Sequence, residues 1–173
     1  MNSLDVKKRR IVSSDHLATE EGWPLSEIEF SLNVIHNAFS KWTVRCAAAS
    51  GFVDMTHLDI LVIHHINHRS SAKRRIDICF MLNIEDTHTV TYTLKKLVRQ
   101  DLVKGTKRGK EIFYETTAEG RKLCDEYGKI RELCLISGFK SQNQDSSELS
   151  EIAGILRGLS GLYDQASRAA ASL

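Results

Sequence analysis

A mainly α-helical fold with one small β-hairpin is predicted by three observations in this 173-residue chain. Apolar residues recur at helical spacing from Leu25 to Cys46 and again in each later long segment. Two short runs, Leu102–Thr106 and Glu111–Thr116, flank the turn Lys107-Arg108-Gly109-Lys110, and glycine between two such runs signals a hairpin. A single proline and 42% hydrophobic content describe an ordered chain with enough apolar material for one substantial core. Between Asp54 and Thr117 the elements read helix, helix, turn, helix, two strands, which is the order of a winged helix-turn-helix. The expected organisation is a flexible basic leader over 1–22, a dimerisation helix over 23–52, the winged module over 53–117 and two further dimerisation helices over 118–173.

Each element has a local reason. Pro24 suits a first helical position, where its missing N–H costs nothing. Leu25, Ile28, Leu32, Ile35, Phe39, Trp42 and Cys46 then alternate spacings of three and four, an unbroken a/d seam, until Ser50-Gly51 ends the helix. The second helix starts near Thr56, which with Asp59 has capping-box spacing, and runs to His68 as an almost wholly apolar, central segment. Arg69 to Ser71 reads as loop. The third helix is expected over Ala72–Leu82, with Ile76, Cys79, Phe80 and Leu82 inward. After a turn at Asn83–Asp86, with Asp86 as cap, a helix over about 86–100 places Val90, Leu94, Leu97 and Val98 toward the core. His88, Thr89, Thr91, Tyr92, Lys95 and Lys96 fall on the opposite arc, a face of donors and cations. The wing spans 102–116. Thr116 and Glu119 have capping-box spacing for the next helix, whose stop is expected at Ser137-Gly138. A polar linker over 140–147 leads to the last helix, Glu148 to about Ala171, striped by Leu149, Ile152, Leu156, Leu159 and Leu162.

Charge separates along the chain. The net charge is only +2. From Arg69 to Lys110, however, eleven cations face four anions, a net of +7, which leaves −5 for the remainder. A basic module on an acidic body is the footprint of a surface that meets phosphates. The residues expected to touch duplex DNA are Arg74, Arg75, His88, Thr89, Thr91, Tyr92, Lys95 and Lys96 on the helices, with Lys107, Arg108 and Lys110 on the wing.

Other classes find little support. No stretch approaches the eighteen or so apolar residues of a membrane span. Lys7-Lys8-Arg9-Arg10 has no apolar run of signal-peptide length behind it, and Cys46, Cys79, Cys124 and Cys134 are scattered without a C-x-x-C pair. Both point to reduced thiols in a cytoplasm. His64 and His68 lie one helical turn apart, but two ligands are half a metal site, and a polar edge on a buried helix accounts for them. Nucleophile elbow, phosphate loop, dinucleotide fingerprint and paired catalytic carboxylates are all missing, so no enzyme, cofactor or metal is expected.

On these residues the chain resembles the MarR family of bacterial transcription regulators. The resemblance covers about 25–172 by element order and 54–120 by motif. Thr89-Val90-Thr91-Tyr92 stands where the family has threonine-valine-threonine-arginine. Leu97-Val98-Arg99-Gln100-Asp101-Leu102-Val103 carries Asp101 where glycine is common, Lys107-Arg108-Gly109-Lys110 replaces the wing's aspartate-x-arginine, and Thr116-Thr117-Ala118-Glu119-Gly120 matches the entry to the fifth helix. The resemblance implies a homodimer built from the first and last two helices, double-stranded DNA as partner, and room for a small-molecule effector near Trp23 and Trp42. The interface would take Leu25, Ile28, Leu32, Ile35 and Phe39 together with Leu149, Ile152, Leu156, Leu159 and Leu162. The alternative is a winged-helix module that binds protein and not DNA. The basic wing tip argues against it.

Overall fold

The first 27-residue helix, α1 (Trp23–Ala49), is about 40 Å long and outruns the small module that follows it. The structure is a computed structural model that describes residues 11, 15–17, 19–141 and 146–173. The basic cluster at 7–10 and part of the expected linker lie outside the described residues. By packing, the chain divides into two units, 1–130 and 131–173.

In the first unit α1 is followed by α2 (His57–Asn67), strand β1 (Lys73–Arg74), α3 (Arg75–Met81), α4 (Thr87–Arg99), β2 (Val103–Arg108), β3 (Glu111–Thr116) and α5 (Ala118–Arg131). Thr56 caps α2 in the predicted box: its Oγ1 accepts from the Asp59 N–H and the Thr56 N–H donates to Asp59 Oδ2 at 2.8 Å. Asp86 caps α4 by accepting from the His88 N–H at 2.8 Å. The core is the apolar interior of the module. Ile60, Ile63 and Ile66 of α2, Ile78 and Cys79 of α3, Val90, Leu94 and Leu97 of α4, and Leu123 of α5 are buried together.

The long seam of α1 splits in two. Cys46 enters this core and Trp42 packs against it, whereas Leu25, Ile28 and Leu32 are half-buried and Ile35 and Phe39 are exposed. The N-terminal two thirds of α1 is thus only partly covered inside the unit, with Ser26 buried but Val34, Ile35 and Phe39 exposed.

Several expectations are corrected. The segment expected to open the third helix instead holds β1, which pairs antiparallel with β3 (Lys73 opposite Tyr114, Arg74 opposite Phe113) and makes the hairpin a three-stranded sheet in the order β1-β3-β2. The later start changes the phase of α3: Ile78 and Cys79 point inward, while Ile76 and Phe80 are exposed, Phe80 by 82%. Val98 is likewise partly exposed, and Thr93 takes the inward place. The hairpin strands run to Arg108 and close through Gly109-Lys110 alone, with Gly109 at φ +64. Positive φ at the first of two loop residues is the type II′ arrangement that glycine favours. Asp101, where glycine is common in the resembling family, has φ +56, so the backbone there needs the left-handed region that glycine enters freely and aspartate tolerates.

α5 starts one residue later than its spacing suggested. Thr117 is the cap: Gly120 N–H donates to Thr117 Oγ1 at 3.0 Å, while the Thr117 hydroxyl donates to the Asp101 carbonyl at 2.6 Å. Thr116 ends β3, buried, with its hydroxyl on Asn67 Oδ1. This cap draws α5 onto the connection after α4, and a Cβ on Gly120 would sit 2.0 Å from the Leu102 carbonyl oxygen.

The second unit holds a π-helical turn (Glu132–Ile136), α6 (Ser137–Ser141) and α7 (Ser146–Ala170). Ser137-Gly138 is therefore helical and does not stop the chain as expected. Along α7, Leu149, Ile152, Leu156 and Leu162 are exposed and Leu159 is half-buried.

Two predictions follow from this packing. Gly120→Ala pushes a methyl into backbone and should destabilise the fold by about 3 kcal/mol in urea titrations. A change under about 0.5 kcal/mol would show that α5 is free to move away. The second concerns His64, whose ring meets Tyr127 edge-on at 4.5 Å and whose pKa burial holds below 6.5. A histidine kept neutral in the fold protonates more readily once unfolded, so its contribution is present above pH 6.5 and is lost as pH falls toward the lowered folded value. The melting temperature should drop between about pH 7.5 and 5.5, and His64→Phe should lessen that drop. An identical pH profile in the variant would remove His64 from the account.

Candidate nucleic-acid interface

α4 is amphipathic because its apolar residues fall on one arc, and burying that arc fixes which side chains face out. His88, Thr89, Tyr92, Lys95 and Arg99 form the exposed arc, with Tyr92 69% exposed. Thr89 is oriented by its cap, its hydroxyl donating to Asp86 Oδ2 at 2.7 Å. That bond and the one from the His88 N–H hold Asp86 below the usual carboxylate range, so the helix start carries a fixed anion.

Thr91 is half-buried, and its hydroxyl proton is given to the Thr87 carbonyl at 2.8 Å. Its oxygen then accepts from Arg75 Nη1 at 3.0 Å. Arg75, exposed on α3, is thereby laid across to α4, and a guanidinium offers further donors beyond the one used. Arg75, Thr91, Tyr92 and Lys95 thus share one surface.

Two expected contacts are committed elsewhere. Lys96 does not lie on the outer arc: its ammonium is 2.5 Å from Asp59 Oδ2 and 2.5 Å from the Asp54 carbonyl, with 14% of its side chain exposed. Arg74 grips Asp77 through Nε (2.9 Å) and Nη2 (2.7 Å) and reaches Glu111 on β3 through Nη1 at 3.2 Å. These carboxylates raise the Arg74 pKa further, and the Arg74 guanidinium holds Asp77 low. Arg74 joins α3 to the wing. Spacing along one helix could not reveal either pair, because Asp59 and Glu111 lie 37 residues from Lys96 and Arg74 respectively.

On the wing, side chains alternate between two faces. Lys104 and Arg108 share one, with Lys104 3.0 Å from Glu115 and the Arg108 guanidinium 4.9 Å above the Phe113 ring. Lys107 stands on the other, opposite Ile112, and Lys110 sits at the turn. Among the described residues, Lys95, Lys107, Arg108 and Lys110 form no ion pair. With Arg75 and Arg99, they are cations of this surface that meet no carboxylate among the described residues.

Among the described residues, no three His, Cys, Asp or Glu side chains converge as metal ligands. No described helix is long and apolar enough to cross a membrane. An open apolar groove of about 490 Å³ runs along the uncovered part of α1, walled by Phe30, Val34 and Ile35 and by Ile11.

Comparison with known proteins names the class of this module. Residues 55–120 match the family model described as winged helix DNA-binding domain. Over most of its length the fold is similar to that of MarR proteins. Staphylococcus aureus MarR, solved with salicylate and kanamycin, is 17% identical, with a TM-score of 0.64 over 86% of this chain and 98% of that one. A mutant MarR from E. coli in complex with operator DNA is 15% identical, with a TM-score of 0.57 over 76% and 95%. CouR from Rhodococcus jostii RHA1, bound to p-coumaroyl-CoA, is 14% identical, with a TM-score of 0.63 over 76% and 90%. A search of curated protein sequences found no match. Residues 55–120 are thus similar to a winged helix DNA-binding domain, set in a fold similar to that of MarR proteins.

Proposed function

We propose that this protein is a dimeric, sequence-specific transcription regulator of the MarR type. α4 enters the major groove and the wing lies along the adjacent backbone. The observation that carries the reading is that Tyr92, Lys95 and the Arg75–Thr91 pair present one exposed polar face while the opposite face of α4 is locked in the core. The E. coli relative solved on operator DNA supports the partner class. Base readout is assigned to His88, Thr89, Thr91, Tyr92, Lys95 and Arg75. Lys107, Arg108 and Lys110 meet phosphates, which position without specifying. Because Lys107 and Arg108 point from opposite faces of the wing, they contact separate phosphates. The relatives bound to small molecules support an effector for this protein too, and a regulator of this type works in the cytoplasm.

Affinity should fall steeply with salt, by about three decades or more between 50 and 200 mM if six or more phosphates are engaged. Joint Lys107→Ala and Arg108→Ala substitution should weaken all duplexes alike and flatten that dependence. Thr91→Ala or Tyr92→Ala should instead change sequence preference, by about 1–3 kcal/mol per lost base contact. Mobility shifts on a panel of duplexes separate these outcomes, and a wing variant that altered preference while helix variants did not would invert the assignment.

Dimerisation accounts for the uncovered faces of α1 and α7. Ile35 and Phe39, and Leu149, Ile152, Leu156 and Leu162, are too many exposed apolar side chains for a lone chain to leave in water. A two-fold partner covers Leu25, Ile28, Leu32 and Leu159 with them. Sedimentation should give twice the chain mass at micromolar concentration. A compact monomer with full DNA affinity would contradict it.

A further inference from the structure

We infer that Lys96 is a positioning residue, and that its buried pair with Asp59 sets how α4 is presented to DNA. The inference rests on the DNA-binding reading above. It also removes a cation from the DNA contacts that the sequence suggested.

The geometry is specific. Asp59 is 2% exposed, and its Oδ2 already accepts the Thr56 N–H at 2.8 Å in the cap of α2. The same oxygen takes the Lys96 ammonium at 2.5 Å. A second acceptor, the Asp54 carbonyl, lies 2.5 Å away on the turn before α2. Asp54 has φ +61, a left-handed backbone conformation that aspartate tolerates at a tight turn. One ammonium thus ties the start of α2 and the turn before it to α4, one helical turn beyond Tyr92.

Such a tie supplies what the apolar contacts cannot. Val90, Leu94 and Leu97 hold α4 against the core, but apolar burial is non-directional and tolerates small rolls of a helix about its axis. Charged hydrogen bonds to two acceptors on other elements fix distance and direction together. Successive side chains on a helix are about 100° apart, so a modest roll would move Tyr92 and Lys95 off their base edges. A phosphate contact would need Lys96 outside; the structure holds it inside against one carboxylate and one backbone carbonyl.

Asp59→Asn separates the two roles, since it removes an anion and no cation. Asparagine can still accept from the Thr56 N–H, so the cap survives. If Lys96 positions α4, this change should weaken binding to a selected duplex about tenfold while leaving binding to random duplex equal or tighter. Lys96→Met should show the same loss with an unchanged salt slope, whereas losing a phosphate contact lowers that slope by about 0.9. The double variant, which leaves no lone buried charge and so guards against unfolding, should be no weaker than the poorer single variant.

Hydrogen exchange on the DNA-free double variant gives a readout independent of the function. Amides of α4 should lose protection while those of α5 keep it. A protein that bound no duplex would sink the DNA reading and leave this arm standing. Tighter binding of the selected duplex by Asp59→Asn, a lowered salt slope in Lys96→Met, or wild-type exchange throughout α4 would each overturn the positioning role.

Discussion

The exposed polar face of α4 depends on the burial of its opposite side. Val90, Leu94 and Leu97 are each at most 1% exposed, and side chains of this size contribute about 1.5–3 kcal/mol apiece when taken out of water. A helix of thirteen residues would be marginal alone. Packed against α2 and α3, it has only one face to offer, and that face carries Tyr92 and Lys95. The caps at Asp86 and Thr117 then mark the ends of the segment that must stay rigid, the second by holding α5 against the connection that leaves α4.

The basic character of the module is spent unevenly. Arg74, Lys96 and Lys104 each meet a carboxylate within the fold. Two of these pairs, on Arg74 and Lys104, are open to solvent and add little stability; their effect is to orient α3 and the wing. Among the described residues, cations without such a partner include Lys107, Arg108 and Lys110 on the wing and Lys95 and Arg99 on the outer arc of α4. Net charge alone would have treated all of them as equivalent. Their geometry divides them into those that hold the module together and those available to a partner.

Much of this was legible in the sequence. The heptad of α1, the Thr56 box, the Asp86 cap and the glycine turn of the wing are local signals, set by residues within four positions of each other. The failures have non-local causes. α3 has seven residues, too few turns for periodicity to fix its phase, and its start is set by β1 pairing with a strand about forty residues on. Lys96 satisfied every criterion for an outward cation except the position of Asp59, which only packing of α2 on α4 supplies. The π-helical turn after Arg131 left no trace that spacing could detect, because the helix on either side remains regular.

The central claim is that paired copies of α4 read DNA, and selection from a pool of randomised duplexes tests it most directly. Such a dimer should enrich a near-palindrome whose half-site centres lie one helical turn apart, about 34 Å. Failure to enrich any sequence, or enrichment of an isolated half-site bound as tightly as a paired one, would contradict it.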